Sequence, residues 1–372
     1  MTELPALPFT ASLGEYLLEA ESLLADLHER DETAAWRFKW EHPRFRDKQI
    51  GDVKPEQLGL DDAKLVTARG YAFDAWRDLA AFTESVNRDR GVLRFETAAD
   101  AVVGGDLNVL ESLLREDPAL VGARSARRHR ATLLHYVAAN GVEGWRQRTP
   151  PNVVEIARLL LDGGADPNAL ADMYDARCAT LGLLVSSSPP ADVGLQWPLA
   201  ELLLDRGASL DAPGSRWSSA VLTALTFGFL DTARLLAARA GLVRDIAVAA
   251  GLGLLGDTAR LLPSADVERQ RIALALACAH GHARVAQLLL DAGVDPNHYN
   301  PDGFHSHSTP LHQAVWANHE GVVRLLVERG ARLDVRDLIY GGTPLDWAEH
   351  GGRAGIAEYL RGRPQPAAAA TS

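Results

Sequence analysis

Histidine offers the clearest opportunity for chemistry in this sequence, because seven of the twelve histidines lie between His280 and His319. One residue separates His305 from His307, so an extended loop would present both imidazoles to the same point. A third imidazole, from His298 or His312, could complete a site for zinc. The alternative is that these rings pack within their loop or contact a ligand. We favour that alternative and predict no metal site.

A glycine motif and a few nucleophiles are the other candidates for chemistry. Residues 251–256 read GLGLLG and match the GxGxxG pattern of dinucleotide sites, which needs a strand before it and a helix after it. No βαβ unit flanks the motif, and we align Gly256 with Gly281 at a turn between two helices. The serines at 186–188 and both cysteines lack the sequence contexts that activate a nucleophile. We therefore predict no catalytic residue and no cofactor, and we favour a binding protein over an enzyme.

Residues 309–334 contain a complete helix–turn–helix unit with its own start and stop signals. Thr309 can cap a helix, and Pro310 fits the first turn of that helix. Apolar residues recur at helical spacing on both sides of Asn318. Gly330 follows where the end of a helix needs a left-handed residue. Two helices this short can bury their apolar faces only against copies of the same unit.

Copies of this unit are present along the chain. The start of the unit recurs at residues 343–345 as Thr-Pro-Leu and at residues 132–135 as Thr-Leu-Leu-His. The second half of the unit recurs at residues 154–169, 199–212 and 281–297, as VEIARLLLDGGADPNA, LAELLLDRGASLDA and GHARVAQLLLDAGVDPN. The sequence resembles the ankyrin-repeat family, whose period is about 33 residues with a T-P-L-H-x-A signature. That resemblance implies an all-α ankyrin-repeat solenoid that acts as a binding scaffold, and it names no partner.

The repeat array is predicted to cover residues 93–363, which corresponds to about eight units at that period. Inserts at residues 144–151 and 186–198 lengthen two of the units, and inserts in repeat proteins are often where binding sites are built. Residues 364–372, PQPAAAATS, are predicted to form a disordered tail.

Residues 1–92 contain no copy of the unit and are predicted to form a separate helical leader. Apolar periodicity predicts helices at residues 13–30, 60–69 and 73–86. The segment resembles the helical leader of many bacterial ankyrin-repeat proteins. We interpret it as a cap over the apolar end of the array, which terminal units of such stacks require.

Charge and hydropathy exclude several classes of partner. The net charge of −11 argues against a broad nucleic-acid surface, and the basic run RSARRHR at residues 124–130 is interpreted as a solvated loop. The most apolar run, residues 246–255, is too short to span a membrane, and the first residues lack a secretory signal. Two cysteines in 372 residues suit a reduced compartment. We predict a cytoplasmic protein that binds neither nucleic acid nor membrane.

Aromatic residues outside the repeat core indicate where a protein partner would bind. Alignment of the openings puts Tyr136, Gln313 and Trp347 at one shared position, and Trp316 lies one turn further along its helix. In the curved stack that the resemblance implies, these side chains face the concave side together with aromatic loop tips. The complete predicted partner surface comprises Tyr136, Tyr299, Phe304, His305, His307, Gln313, Trp316, Tyr340 and Trp347.

A second function remains open at this point. The connection at residues 298–308 is about four residues longer than the period requires, and it carries His298, His305 and His307. The alternative to partner binding is therefore an enzyme, or a protein that binds a small ligand or a metal, with a pocket formed by the inserts and this loop.

Overall fold

Capping residues set the start of the first two helices. α1 (Leu13–His28) follows Ser12, whose hydroxyl accepts a hydrogen bond from the amide of Glu15 (3.3 Å), while the Glu15 carboxylate accepts one from the amide of Ser12 (2.7 Å). α2 (Glu32–Glu41) follows Asp31, whose carboxylate accepts a hydrogen bond from the amide of Ala34 (2.8 Å). Both helices therefore begin where a polar side chain satisfies a free backbone amide.

The computed structural model describes residues 7–141, 143–212, 219–241 and 243–363, so the predicted tail at 364–372 lies outside the described residues. Contacts divide the chain into two compact units, Met1–Ala220 and Val221–Ser372. They are called the N-terminal and C-terminal units below.

The leader is completed by α3 (Leu60–Gly70) and α4 (Trp76–Arg88), after three single 3-10 turns at Pro43–Phe45, Ile50–Asp52 and Pro55–Gln57. α4 begins three residues later than predicted because Ala72 has φ of +64°, and the chain turns there before a helix can start. Apolar residues of the leader's helices and of the segments between them form two clusters, one around Phe38 and one around Phe9 and Tyr71. Trp145, from the first insert, packs against the second cluster.

Eight pairs of helical segments follow the leader within the described part of the chain, in agreement with the predicted number. The pairs are α5 (Arg90–Gly104) with α6 (Leu107–Glu116); the 3-10 helix Leu133–Ala138 with α7 (Val153–Asp162); α8 (Thr180–Leu184), then the short α9 (Ser188–Asp192), with α10 (Gln196–Asp205); α11 (Ala220–Thr226) with α12 (Leu230–Ala240); α13 (Ile246–Gly251) with α14 (Leu255–Leu261); α15 (Val267–Ala279) with α16 (Ala283–Asp291); α17 (Pro310–Trp316) with α18 (Glu320–Glu328); and α19 (Pro344–His350) with α20 (Ala354–Arg361). The predicted helical repeat fold is confirmed. α5 spans the boundary that was predicted between residues 92 and 93.

A β-hairpin interrupts the helices of the described chain and was not part of the all-α prediction. β1 (Leu170–Met173) pairs with β2 (Ala176–Ala179) in antiparallel register, with Asp172 opposite Arg177. Tyr174 and Asp175 form the tip, with φ of +55° and +58°, which is the conformation that two-residue hairpin turns require. The hairpin thus extends the second repeat pair of the N-terminal unit beyond the basic helical pattern.

The glycine motif at residues 251–256 lies in a helix–turn–helix and not beside a strand. Residues before it form α13, and Gly253 occupies the turn with φ of +76°. Gly256 lies inside α14, so its predicted alignment with the turn residue Gly281 is wrong by three residues. Gly253 is the true counterpart of Gly281, because both adopt the left-handed conformation two residues before a helix.

Buried aliphatic side chains from α13 to α20 form one continuous core in the C-terminal unit. Leu311, Ala314 and Val315 of α17 are fully buried in it, as are Val323 and Leu326 of α18. These are the positions that helical periodicity predicted. The core holds α17 and α19 side by side, and their remaining faces carry the site described next.

Candidate functional site

The C-terminal unit brings five aromatic rings together on α17, α19 and the loops that precede these helices. We call this set the aromatic surface: His307, Trp316, Tyr340, Trp347 and His350. Trp316 and Tyr340 leave 48 % and 53 % of their area exposed. Four of its five members, all except His350, belong to the predicted partner surface.

Hydrogen bonds at the starts of α17 and α19 position these rings. The hydroxyl of Thr309 lies 2.8 Å from Nδ1 of His312, and Nε2 of His312 donates to the carbonyl of Gly342 (3.2 Å). His312 therefore links the start of α17 to the loop before α19. Thr343 and Asp346 form a reciprocal capping box that begins α19.

The rings form a continuous series of contacts. Trp347 is at the centre, with its ring centroid 5.9 Å from that of Trp316, 6.2 Å from that of Tyr340 and 6.1 Å from that of His307. Trp316 extends the series to His350, whose ring is nearly parallel to its own at 6.5 Å. The contacts of Trp347 with Trp316 and Tyr340 are edge-to-face, an arrangement that stabilises aromatic clusters and fixes ring orientation.

Asp337 holds the central tryptophan in place, and sequence reasoning missed it. Its carboxylate is 1 % exposed and accepts hydrogen bonds from the Trp347 indole nitrogen (2.9 Å) and from the amides of Ile339, Tyr340 and Gly342 (2.9, 2.6 and 2.9 Å). The available signal was an aspartate ahead of a Gly-Gly-Thr-Pro turn, a residue type that bonds to nearby backbone amides.

The loop at residues 298–308 is held by hydrogen bonds to its surroundings. Nε2 of His305 donates to the carbonyl of Thr226 (2.8 Å), and the hydroxyl of Tyr299 donates to the carbonyl of Arg336 (2.7 Å). The side-chain amide of Gln313 donates to the hydroxyl of Ser308 (2.8 Å). Phe304 is half-buried. These residues flank the aromatic surface as predicted partner residues, and their role in binding stays a prediction.

Histidines of the loop do not converge on a common point. His298 is exposed and lies 3.4 Å from the Asp295 carboxylate, while His305 bonds to backbone. In the ranges that the structure describes, no group of three or more His, Cys, Asp or Glu side chains is arranged to hold a metal ion. Burial, and then the neighbouring His305, lower the pKa of His307, so its ring is neutral near pH 7.

Tyr136 departs from the prediction, because it is buried at 8 % exposure in the N-terminal unit. Its hydroxyl donates to the Glu143 carboxylate (2.9 Å) and accepts from the Arg127 guanidinium (3.1 Å). It shares a sequence position with Gln313 and Trp347, but here the surrounding side chains cover it. Tyr136 therefore presents no surface to a partner.

A buried ionic cluster surrounds Tyr136. Arg127 contacts Glu96 (2.8 Å) and Glu143 (2.7 Å), and Arg146 contacts the same two carboxylates (2.8 and 3.0 Å). Burial alone raises the pKa of Glu143, but the charges of Arg127 and Arg146 hold it well below its usual range. The interpretation of residues 124–130 as a solvated loop is wrong for Arg127, whose side chain is fully buried.

A large open groove crosses the N-terminal unit, with a volume of about 1960 Å³. Its lining comes from the leader, the β-hairpin, the first insert (Gly144, Trp145, Gln147 and Arg148), Pro189 of the second insert, and Arg128, His129 and Gly141. None of it comes from residues 298–308. Arg46 of the leader reaches Asp175 at the hairpin tip (3.0 Å), and both side chains are exposed. Trp40, at 45 % exposure, is another lining residue.

No helix in the described ranges is long and apolar enough to cross a membrane.

Comparison with known proteins identifies repeats in both units. A family model for ankyrin repeats in three copies matches residues 196–337, and a model for a single ankyrin repeat matches residues 129–172. The three-copy match includes His307 and α17 with Trp316, which are part of the aromatic surface.

Curated relatives match over short segments. Cyclin-dependent kinase 4 inhibitor B of Bos taurus is 42% identical over 81 residues, which is 22% of this chain and 59% of the relative. Cyclin-dependent kinase inhibitor 2A of Homo sapiens is 42% identical over 81 residues, 22% of this chain and 49% of the relative. Ankyrin repeat and SAM domain-containing protein 6 of Mus musculus is 35% identical over 101 residues, 26% of this chain and 11% of the relative. The chain thus spans about half the length of the two inhibitors.

Proposed function

This chain belongs to the ankyrin-repeat family, and on that premise we propose that it is a scaffold whose protein partner binds the aromatic surface of the C-terminal unit. The flanking residues Tyr299, Phe304, His305 and Gln313 would form the rim of the interface. The family supplies the class of function, and the aromatic surface supplies the location.

The exposure of Trp316 and Tyr340 is the observation that carries this proposal. Leaving apolar area in water forgoes about 25 cal/mol per Å², so a folded chain gains stability by covering such rings. These two rings stay half exposed although the adjoining rings hold them in fixed orientations. Rigid, exposed tryptophan and tyrosine side chains are the residues that most often dominate binding energy at protein interfaces.

The names of two relatives describe inhibitors of cyclin-dependent kinases, and they support a protein partner in general terms. The aligned segments cover too little of either inhibitor to transfer its target. We place the interaction in the cytoplasm, because two cysteines in a chain of 372 residues do not suggest a disulfide framework and suit a reduced compartment.

A matched pair of tryptophan variants tests the proposal. Trp316→Ala removes an exposed ring from the aromatic surface, and Trp40→Ala removes a ring of similar exposure from the groove. Wild type and both variants, each shown to be folded by circular dichroism, serve as bait in quantitative affinity capture from the source cells. We expect specific partners to be depleted by Trp316→Ala and retained by Trp40→Ala. Full retention by Trp316→Ala would place the interface elsewhere.

The groove supports a second candidate function, the binding of a small ligand or an extended peptide in the N-terminal unit. Its volume exceeds that of ordinary small-molecule pockets, which is about 300–1,000 Å³. Exposed ion pairs such as Arg46–Asp175 contribute little stability, so a ligand could displace them. The same capture experiment separates the candidates, because partners or metabolites lost only with Trp40→Ala would assign function to the groove.

The leader is proposed to cap the repeats of the N-terminal unit. Its second cluster packs against Trp145, whose ring lies 5.5 Å from Phe9 and 4.6 Å from Tyr71. Those contacts join leader and repeat through buried aromatic area.

A further inference from the structure

We propose that His307, Tyr340 and Trp347 together receive a cationic side chain, arginine or lysine, from the partner. We call these three residues the ring triad. This inference rests on the proposed function, because it names the chemistry that the aromatic surface would recognise.

The geometry of the ring triad is the first support. The three centroids form a nearly equilateral triangle, with 6.2 Å between Tyr340 and Trp347, 6.4 Å between His307 and Tyr340, and 6.1 Å between His307 and Trp347. A cation placed about 3 Å above such a triangle lies within about 6 Å of all three centroids, and cation–π attraction acts at that range over the faces of the rings. The ring of Tyr340 is steeply inclined to both others, at 78° and 74°.

A buried carboxylate strengthens the attraction. The indole N–H of Trp347 donates to Asp337 (2.9 Å), and a hydrogen bond to a charged acceptor polarises the donor ring and adds electron density to its face. The same carboxylate also brings negative charge close to the triad, because it contacts the Trp347 indole nitrogen directly. His307 does not oppose a cation at pH 7, because burial keeps its imidazole neutral.

The indole of Trp347 has room for a cation from outside. Arg336 precedes Tyr340 in the same loop, but its guanidinium donates to the Gly341 carbonyl (2.6 Å) and lies 4.0 Å from the Asp346 carboxylate. The chain covers other aromatic rings with its own cations, as with Arg324 over Tyr359 at 4.2 Å. The structure records no such cation over the indole of Trp347 in the described ranges. The net charge of −11 favours a basic partner at long range.

Paired small-molecule probes test this inference without the partner. N-acetyl-arginine amide and N-acetyl-citrulline amide have nearly the same shape, and only the first is charged. Each is titrated into the full-length protein at fixed ionic strength while the indole N–H resonance of Trp347 is followed by NMR. We expect saturable shifts at Trp347 with about three- to tenfold tighter binding of the arginine probe, as expected for one cation–π site.

Two variants at Tyr340 complete the test. Tyr340→Phe keeps the aromatic face and should keep the preference for arginine, whereas Tyr340→Leu should reduce the arginine-to-citrulline ratio to near one. Equal binding of the two probes to wild type, or shifts confined to residues outside the triad, would overturn the inference. A partner that is still lost with Trp316→Ala would then leave the proposed function standing. Retention of the partner by Trp316→Ala would reject that function whatever the probes show.

Discussion

The substitution Gly281→Ala is predicted to destabilise the C-terminal unit far more than the equivalent Gly352→Ala. Both glycines lie two residues before the second helix of a repeat, with φ of +77° and +66°. A Cβ at Gly281 would lie 2.7 Å from Nδ1 of His319 in the next repeat, whereas a Cβ at Gly352 meets nothing within 4 Å. The two changes therefore share the backbone strain, and only one of them creates a clash.

The magnitude follows from these contacts. Alanine in the left-handed region costs about 1–2 kcal/mol at either position. At Gly281 the His319 ring must also move, which breaks the hydrogen bond from its Nε2 to the Ala279 carbonyl (3.1 Å). Losing that bond costs about 1 kcal/mol, and forced repacking typically adds about 1–3 kcal/mol. The expected total is about 3–6 kcal/mol for Gly281→Ala and about 1–2 kcal/mol for Gly352→Ala.

Urea unfolding of both variants, followed by circular dichroism, measures the difference. Gly253→Ala is a replicate in the preceding repeat, since a Cβ there would lie 2.7 Å from Nδ1 of His282. Both Gly281→Ala and Gly253→Ala are expected to unfold at clearly lower urea concentrations than Gly352→Ala. Equal urea midpoints for the three variants would show that the histidine rings move without an energetic cost. Their contact with the glycine turns would then not stabilise the packing of successive repeats.

Three further predictions concern stability. Glu143→Gln should lower the free energy of unfolding, measured in urea, by about 3 kcal/mol, because it leaves the buried Arg127 with less compensating charge. A loss below about 1 kcal/mol would contradict this. Deleting residues 1–92 should lower the melting temperature and cause self-association in light scattering, and an unchanged monomer would argue against the cap. Burial lowers the pKa of His135 and of His280 to about 4, from 6.5. Between pH 6.5 and pH 4 the unfolded chain therefore binds more protons than the folded chain. The free energy of unfolding is at its full value above pH 6.5 and falls towards pH 4, by about 3 kcal/mol for each histidine. Urea midpoints that stay constant between pH 7 and 5 would refute this.

The repeat architecture was readable because its signals are local. Thr309 and Pro310 start α17, and Gly330 adopts φ of +86° after α18, as their residue types predict. The series of exposed rings was also partly predictable, because alignment of repeat openings gives Trp347 a place on its helix. These features depend only on the spacing of residues within one repeat unit, so they can be predicted from a single sequence.

The buried ionic cluster could not be predicted because both of its arginines contact a glutamate that is distant in sequence. Arg127 and Arg146 bond to Glu96 from 31 and 50 residues away, and no local pattern connects them. The same limit explains Tyr136, because the repeat pattern sets its place on the helix but not the side chains that cover it. The glycine alignment failed for a related reason, since residue type alone did not show which glycine adopts a positive φ.

The most direct test of the central claim is the dissociation constant of a captured and purified partner for wild type, Trp316→Ala and Trp40→Ala, measured by isothermal titration calorimetry. Truncating a central aromatic residue at a protein interface costs about 2 kcal/mol or more, which corresponds to about thirtyfold weaker binding. We expect such a loss for Trp316→Ala and a change of less than about twofold for Trp40→Ala. Wild-type affinity in Trp316→Ala, with weakened binding in Trp40→Ala, would contradict the proposed interface and assign it to the groove.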